Sequence, residues 1–404
     1  MPSVISWGLE KVVDRWENGM ENYNPPMRVD GFIVSCALTS LVLSACGGAP
    51  PAELASEIPD TSDAASGAEL AADLDERIPD WLDDVGVPGL AVAVVDGSQI
   101  VYDGAFGVAD RDNGAPVTSD TVFSAASLAK PLFAWRVHEL VRLGELELDR
   151  PLSDYVDRPW VDDPRLAEIT ARRVLSHTSG FPNWRQGRWD PDPQPLTIDF
   201  EPGSRFSYSG EGYMYLQAAV VAVTGHLLEP EMSETVFTPL GMSASSFLWR
   251  DDYDRSAAIG HGRDGDPQPE ARISDAVRRD RVLAPLETYA AGGLHATASD
   301  YARFLVAFMN DRPRAETMLT PTSNVEPGLD WGLGWGIETV GDQRLFWHWG
   351  DNDVFKAMTF GDLDAGRAVV CLTNSMAGHG ACRPIVEAVF PGEHPALDFR
   401  MVNY

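Results

Sequence analysis

Ser127-Leu128-Ala129-Lys130 stands immediately ahead of an apolar helical pattern that runs from Pro131 to Leu143. Three residues apart on a helix, the Ser and Lys side chains share one face and come within reach of each other. The chain holds three lysines, Lys11, Lys130 and Lys356, while the other 28 of its 31 basic residues are Arg. Arg stays charged inside a protein, whereas a desolvated Lys shifts its pKa down and can take the proton of a neighbouring hydroxyl. A Lys kept beside Ser127 in an Arg-using chain therefore points to a proton acceptor next to a nucleophile. The competing reading of this segment is a solvated Lys on a helix that the Ser caps.

Two downstream segments carry further chemistry. Glu201-Pro202-Gly203-Ser204-Arg205-Phe206-Ser207-Tyr208-Ser209-Gly210 reads as a turn into a helix over Gly212 to Val223. A phenol such as Tyr208, held near a lysine ammonium, can relay a proton to a leaving group, although a Tyr in a loop equally suits a core or rim position. Tyr213 and Tyr215, on the helix itself, are assigned to packing. Phe346-Trp347-His348-Trp349-Gly350-Asp351-Asn352 closes a strand with aromatic side chains, a His and a Gly that lets a bound substrate approach the backbone. On its own His348 also fits a structural role.

Around these segments the chain is organised as one domain with a long insertion. Leu70, Leu74, Ile78 and Leu82 recur at helical spacing, and Leu90 to Val95 with Ile100 to Val108 flank an Asp96-Gly97 hairpin signal. A lone hairpin is too weak to stand in water, so it must join other strands. Those lie near the C-terminus, over Leu333 to Val340, Arg344 to His348, Phe355 to Phe360 and Arg367 to Thr373, with hairpin-length links that imply antiparallel pairing. Between the two groups come helical patterns at Leu128 to Leu143, Gly212 to Val223 and Ser299 to Met309. The expected fold is α/β of the α+β kind: an antiparallel sheet lobe, 67–126 and about 290–404, embracing a mostly helical lobe, about 127–290. A ligand cleft is expected between them.

The N-terminal part reads differently. Gly31 to Ala52 is free of charge, and its apolar run Phe32 to Ala45 is too short to span a bilayer but suits a signal peptide. It ends in Leu43-Ser44-Ala45-Cys46-Gly47, which resembles the bacterial lipobox; Cys46 would be lipidated and become the mature N-terminus. Met27-Arg28 supplies a start and a positive flank, so 1–45 is read as leader and signal, and 46–66, rich in Ala, Pro, Ser and Glu, as a flexible tether. The expected location is extracytoplasmic, anchored to the envelope by lipid. Cys371 and Cys382 would then remain, either bridged in an oxidising compartment or, for Cys371, as a buried thiol.

Taken together, the three chemical segments resemble the serine beta-lactamase-like superfamily, in the branch with class C beta-lactamases, D-alanyl-D-alanine carboxypeptidases, D-aminopeptidases and related esterases. Further matches are Leu175-Ser176-His177-Thr178-Ser179-Gly180, Pro202-Gly203, Gly292-Gly293-Leu294 with Ala296-Thr297-Ala298, and Gly332-Leu333-Gly334-Trp335. The resemblance implies a beta-lactamase/transpeptidase-like fold, Ser127 as acylated nucleophile, and proton transfer shared by Lys130 and Tyr208. It also implies an oxyanion hole from the backbone N–H groups of Ser127 and Asp351, with His177 shaping its loop. Substrate contacts are expected at His348, Trp349, Gly350 and Gly210. Two departures bear on substrate. His348-Trp349-Gly350 stands where Lys-Thr-Gly is common, and Gly210 where an Asn is usual; both losses weaken recognition of an acylamino beta-lactam. Trp347 and Trp349 suggest an apolar wall for the acyl group.

Composition narrows the function classes. With 44% hydrophobic and 23% charged residues the 404-residue chain is an ordinary globular protein, and a net charge of -30 excludes polyanions such as nucleic acid as partners. No Cys or His spacing suggests a metal site and no cofactor is implied. The absence of a Gly-x-Ser-x-Gly elbow argues against an alpha/beta-hydrolase. What remains is a serine hydrolase acting on an ester or amide of a small molecule or peptide, or a catalytically silent envelope sensor that keeps the same fold.

Overall fold

The computed structural model describes residues 61–156, 161–188, 194–263, 265–267 and 288–402. The expected leader, Met27, the lipidation site Cys46 and the tether up to residue 60 lie outside the described residues. The last stretch expected to be tether is helical instead: α1 spans Thr61–Val85. Ala64 and Ala65 favour a helix without adding to an apolar stripe, so periodicity first marked it only at Leu70.

The hairpin forms as expected, one residue displaced. β1 (Gly89–Asp96) and β2 (Gln99–Asp110) pair antiparallel with Asp96 opposite Gln99. The turn is therefore Gly97-Ser98, at φ 53° and 58°, the two-residue geometry that matches strand twist. β1 also pairs with β11 (Arg367–Thr373), Leu90 opposite Thr373 and Val95 opposite Ala368, which closes N- and C-terminal strands into one sheet. The sheet runs β3 (Ala115–Pro116), β2, β1, β11, β10 (Lys356–Asp362), β9 (Gln343–Asp351), β8 (Gly336–Val340), β7 (Leu329–Trp331), β6 (Ser323–Glu326), antiparallel throughout. The short strands β6 and β7 carry too few residues for a sequence period to show.

Both faces of the central strands are covered, which explains the unbroken apolar run of β1. Leu90, Val92 and Val94 join a core layer with Leu74 and Ile78 of α1 and Ile385 and Val386 of α5 (Gly378–Val389). Ala91, Ala93 and Val95 face the other layer, with Leu132 and Val137 of α2 (Ala129–Arg142) and Phe304 and Phe308 of α4 (Ala298–Asn310). Each fully buried Val or Leu contributes about 1.5–3 kcal/mol. Cys371 of β11 and Cys382 of α5, both fully buried, are joined in a disulfide with a Cα–Cα distance of 5.8 Å, which ties that helix to the sheet.

The insertion is entered and left through a second small sheet, β4 (Phe123–Ala126) against β5 (Leu294–Ala296). Among its described residues two helices exceed ten residues, α2 and α3 (Gly210–Thr224); the rest is short turns such as Ala171–Leu175 and long loops. The Pro- and Asp-rich stretches among these described residues form the turns and loops, since they cannot continue a helix.

Candidate active site

Ser127 sits where β4 gives way to α2. Ala126 just before it has φ 49°, a left-handed conformation that costs an L-residue about 1 kcal/mol and turns the chain sharply into the helix. Of residues 121–130, Ser127 alone is not buried. Lys130, in the first turn of α2, is 1% exposed, and its Nζ lies 3.0 Å from Ser127 Oγ. The same Nζ donates to the Ala291 carbonyl at 2.5 Å, and Ser127 Oγ donates to that carbonyl at 3.4 Å. Burial pushes the Lys130 pKa well below its ordinary value, because a desolvated ammonium is disfavoured. Its lone pair is then available to a hydroxyl proton. The solvated-Lys reading is excluded by this burial.

Aromatic rings enclose Lys130. Its Nζ stands 4.7 Å from the Tyr208 ring centroid and 5.4 Å from that of Tyr213. Tyr213 does pack in the core, as expected, but it also borders the site, a role its position on α3 did not reveal. Tyr208 is positioned by its neighbours: His177, fully buried at φ 54°, stacks on it at 4.2 Å and accepts from the Ser209 N–H through Nδ1 at 3.0 Å. Burial, then the Lys130 and His348 charges, lowers the His177 pKa well below its usual value. His177 is the structural His the sequence suggested.

The residues expected to contact substrate divide. His348 is fully buried, 6.1 Å from Tyr208 ring to ring, with Nδ1 2.7 Å from the Trp349 carbonyl. Burial first, and the nearby Lys130 charge second, push its pKa down to about 3, so it supplies neither a cation nor an exposed contact. Trp347 and Trp349 do not form the acyl wall: 0% and 2% exposed, they point into the core layer that holds Phe399. Trp349 also stacks on His348 at 5.3 Å and packs on the Tyr208 ring at 4.7 Å, so these rings back the site from inside and present no surface to a ligand. Gly350 is required for close packing, since a Cβ there would come within 2.6 Å of the Ala125 carbonyl. This contact brings the end of β9 against the strand that presents Ser127.

Gly210 is likewise covered. A Cβ at Gly210 would lie 2.5 Å from the Trp184 ring, and the Gly210 N–H bonds to Asn183. Trp184 therefore fills the space an Asn side chain would need. It meets Tyr289 edge-on at 6.4 Å, and these partly buried rings supply the aromatic surface that the β9 tryptophans do not. Arg185 and Arg188 behind Trp184 pair with the buried Glu211 at 3.1 and 2.7 Å. Asn352, beside the expected oxyanion residue Asp351, donates to Ser124 Oγ at 2.9 Å and to the Gly292 carbonyl at 3.1 Å, fastening the end of β9 to both flanks of the nucleophile. Among the described residues no three His, Cys, Asp or Glu side chains gather as a metal site.

Comparison with known proteins agrees with this geometry. The beta-lactamase family matches residues 72–385, and the chain belongs to that family of serine hydrolases. It is 29% identical over 379 residues to the esterase EstB of Burkholderia gladioli, covering 80% of this chain and 94% of the relative. It is 32% identical over 281 residues to penicillin-binding protein 4 of Amycolatopsis lactamdurans, covering 62% and 71%. Among solved structures, the beta-lactamase/D-alanine carboxypeptidase from Pseudomonas syringae superposes with a TM-score of 0.68 over 82% of this chain and 100% of that one, at 16% identity, a likeness of fold.

Proposed function

We propose that this protein hydrolyses an ester or amide through an acyl-enzyme on Ser127. The observation that carries the reading is the 3.0 Å approach of a buried Lys130 to Ser127 Oγ. Lys130 takes the hydroxyl proton as Ser127 Oγ attacks the carbonyl carbon, and the N–H groups of Ser127 and Asp351 receive the oxyanion. Collapse expels the alcohol or amine, which takes a proton relayed through Tyr208. Water, deprotonated in turn by the same groups, then attacks the acyl carbon and frees the acid and Ser127.

Esterase or peptidase action suits the site better than beta-lactam hydrolysis. His348 is neutral where a cation is usual, and Trp184 occupies the place of the Asn amide, so an acylamino beta-lactam loses two polar anchors. The similarity to EstB supports the esterase side. We also propose lipid anchorage through Cys46 outside the cytoplasm; the disulfide fits that compartment. Labelling with a tagged fatty acid, lost in Cys46→Ala, tests it.

The hydrolase reading predicts that a fluorophosphonate probe labels Ser127, that Ser127→Ala abolishes the label, and that short acyl esters turn over faster than a chromogenic cephalosporin. D-alanyl peptides in the same panel separate peptidase from esterase. No adduct on Ser127 and no turnover of any substrate would leave the silent sensor as the better account.

A further inference from the structure

Lys356 is, with Lys130, one of two lysines among the described residues. Its Nζ lies 2.5 Å from Asp351 Oδ1, straight across the β9–β10 ladder where the two residues are paired. The side chains are 10% and 15% exposed, so the pair is shielded from water. Beside it stands His379, in the first turn of α5, with Nε2 3.0 Å from the Gly350 carbonyl and Nδ1 3.0 Å from the Val402 carbonyl. A neutral ring donates to one of these carbonyls and the cation to both; the cation and the Nε2–H tautomer each serve Gly350.

The Gly350 carbonyl and the Asp351 N–H are the two ends of one trans peptide unit and point in opposite directions. In the ladder the Gly350 carbonyl faces Ala357 of β10 and has His379 as a second donor, so the Asp351 N–H is turned away from β10. A donor on the carbonyl fixes the plane of that peptide and polarises it, which strengthens the N–H at the other end. The Asp351 carboxylate, by contrast, is a negative charge on the very residue whose N–H is to receive an oxyanion.

We propose that His379 and Lys356 are positioning residues for the oxyanion hole: His379 holds and polarises the Gly350–Asp351 peptide, and Lys356 neutralises the Asp351 carboxylate. The proposal rests on the reading of Ser127 as nucleophile. It also gives the third lysine-bearing position of an Arg-using chain a function in the same reaction as Lys130.

The test uses the full chain and a short neutral acyl ester, with fluorophosphonate labelling and melting temperature measured alongside. Lys356→Met is expected to lower kcat roughly 10- to 100-fold with KM changed less than about threefold, since the loss falls on the transition state. Adding Asp351→Asn to Lys356→Met is expected to recover most of it, because no carboxylate is left to neutralise. His379→Phe should also lower kcat, and His379→Gln, whose amide still donates, should retain more. Wild-type kcat in Lys356→Met, or a deficit that Asp351→Asn leaves unrepaired, overturns the proposal. If Lys356→Met does not fold, equal kcat for His379→Gln and His379→Phe overturns it. A wild-type protein that takes no label on Ser127 instead removes the nucleophile reading, so the two failures are told apart.

Discussion

Lys130 is held where a lysine is least comfortable. Below its ordinary pKa of 10.5 the unfolded chain binds a proton that the folded chain holds far more weakly, because burial penalises the ammonium. Stability rises with pH wherever the unfolded state carries the extra proton, so at neutral pH this group costs stability. Lys130→Met should therefore fold about 1–2 kcal/mol more stably while losing on the order of 1,000-fold in ester turnover. Urea unfolding and kinetics on the same preparation check both, and a less stable variant would contradict the account. Gly210 yields a second expectation at this scale. Gly210→Ala drives a methyl into the Trp184 ring and should cost about 1–3 kcal/mol, a loss that Trp184→Ala relieves in the double variant. Ser127 and Lys130 were legible because the scarcity of lysine singled one of them out. Trp184 over Gly210 was not, since no local pattern announces a contact between residues 26 positions apart.

At the level of elements, the longer strands of the sheet showed themselves by composition and turn signals, and β11 spans the very residues expected. What differs from the expectation along β9 is burial. His348 and Trp349 were expected together in the cleft, and their rings do lie together, stacked at 5.3 Å, but both are buried behind Tyr208, a depth that no local pattern encodes. The short pairing of β4 with β5 stayed hidden, because strands of four and three residues have no period to read. The Cys371–Cys382 bridge closes a loop with a sequence separation of 11 between β11 and α5. Loop-closure entropy for such a span is worth about 3 kcal/mol, so the Cys371→Ala/Cys382→Ala double variant should lose about 2–3 kcal/mol in urea unfolding. Because α5 carries His379, turnover should fall with the loosened helix before the sheet itself melts; a variant with unchanged stability would mean that packing alone fixes α5.

For the whole molecule, two electrostatic effects compete as pH falls. The net charge of -30 makes the folded chain repel itself, and protonating carboxylates would relieve that strain. The buried histidines act the other way. Burial holds His138 and His295 at about 4 and His348 at about 3, and drives His177 well below its usual value, so each is neutral in the fold near pH 6 and takes a proton readily once unfolded. A group with a depressed histidine pKa loses stability for the fold as pH drops from 6.5 toward that pKa, at roughly 1.4 kcal/mol per unit. His394 has the opposite sign: burial opposes protonation, but the hydrogen bond to Glu338 raises its pKa, so its contribution is kept at low pH and lost as pH rises. Most surface carboxylates titrate near pH 4, so between pH 6.5 and 5 the histidines prevail. Stability in urea should fall there by on the order of 5 kcal/mol. Salt separates the two effects: 1 M NaCl should raise the melting temperature at pH 7.5, where self-repulsion is screened, yet leave the loss between pH 6.5 and 5 nearly unchanged, because the buried rings lie beyond the reach of counterions. If salt abolished the acid loss, its source would be surface charge and not the neutral histidines packed around the site and sheet.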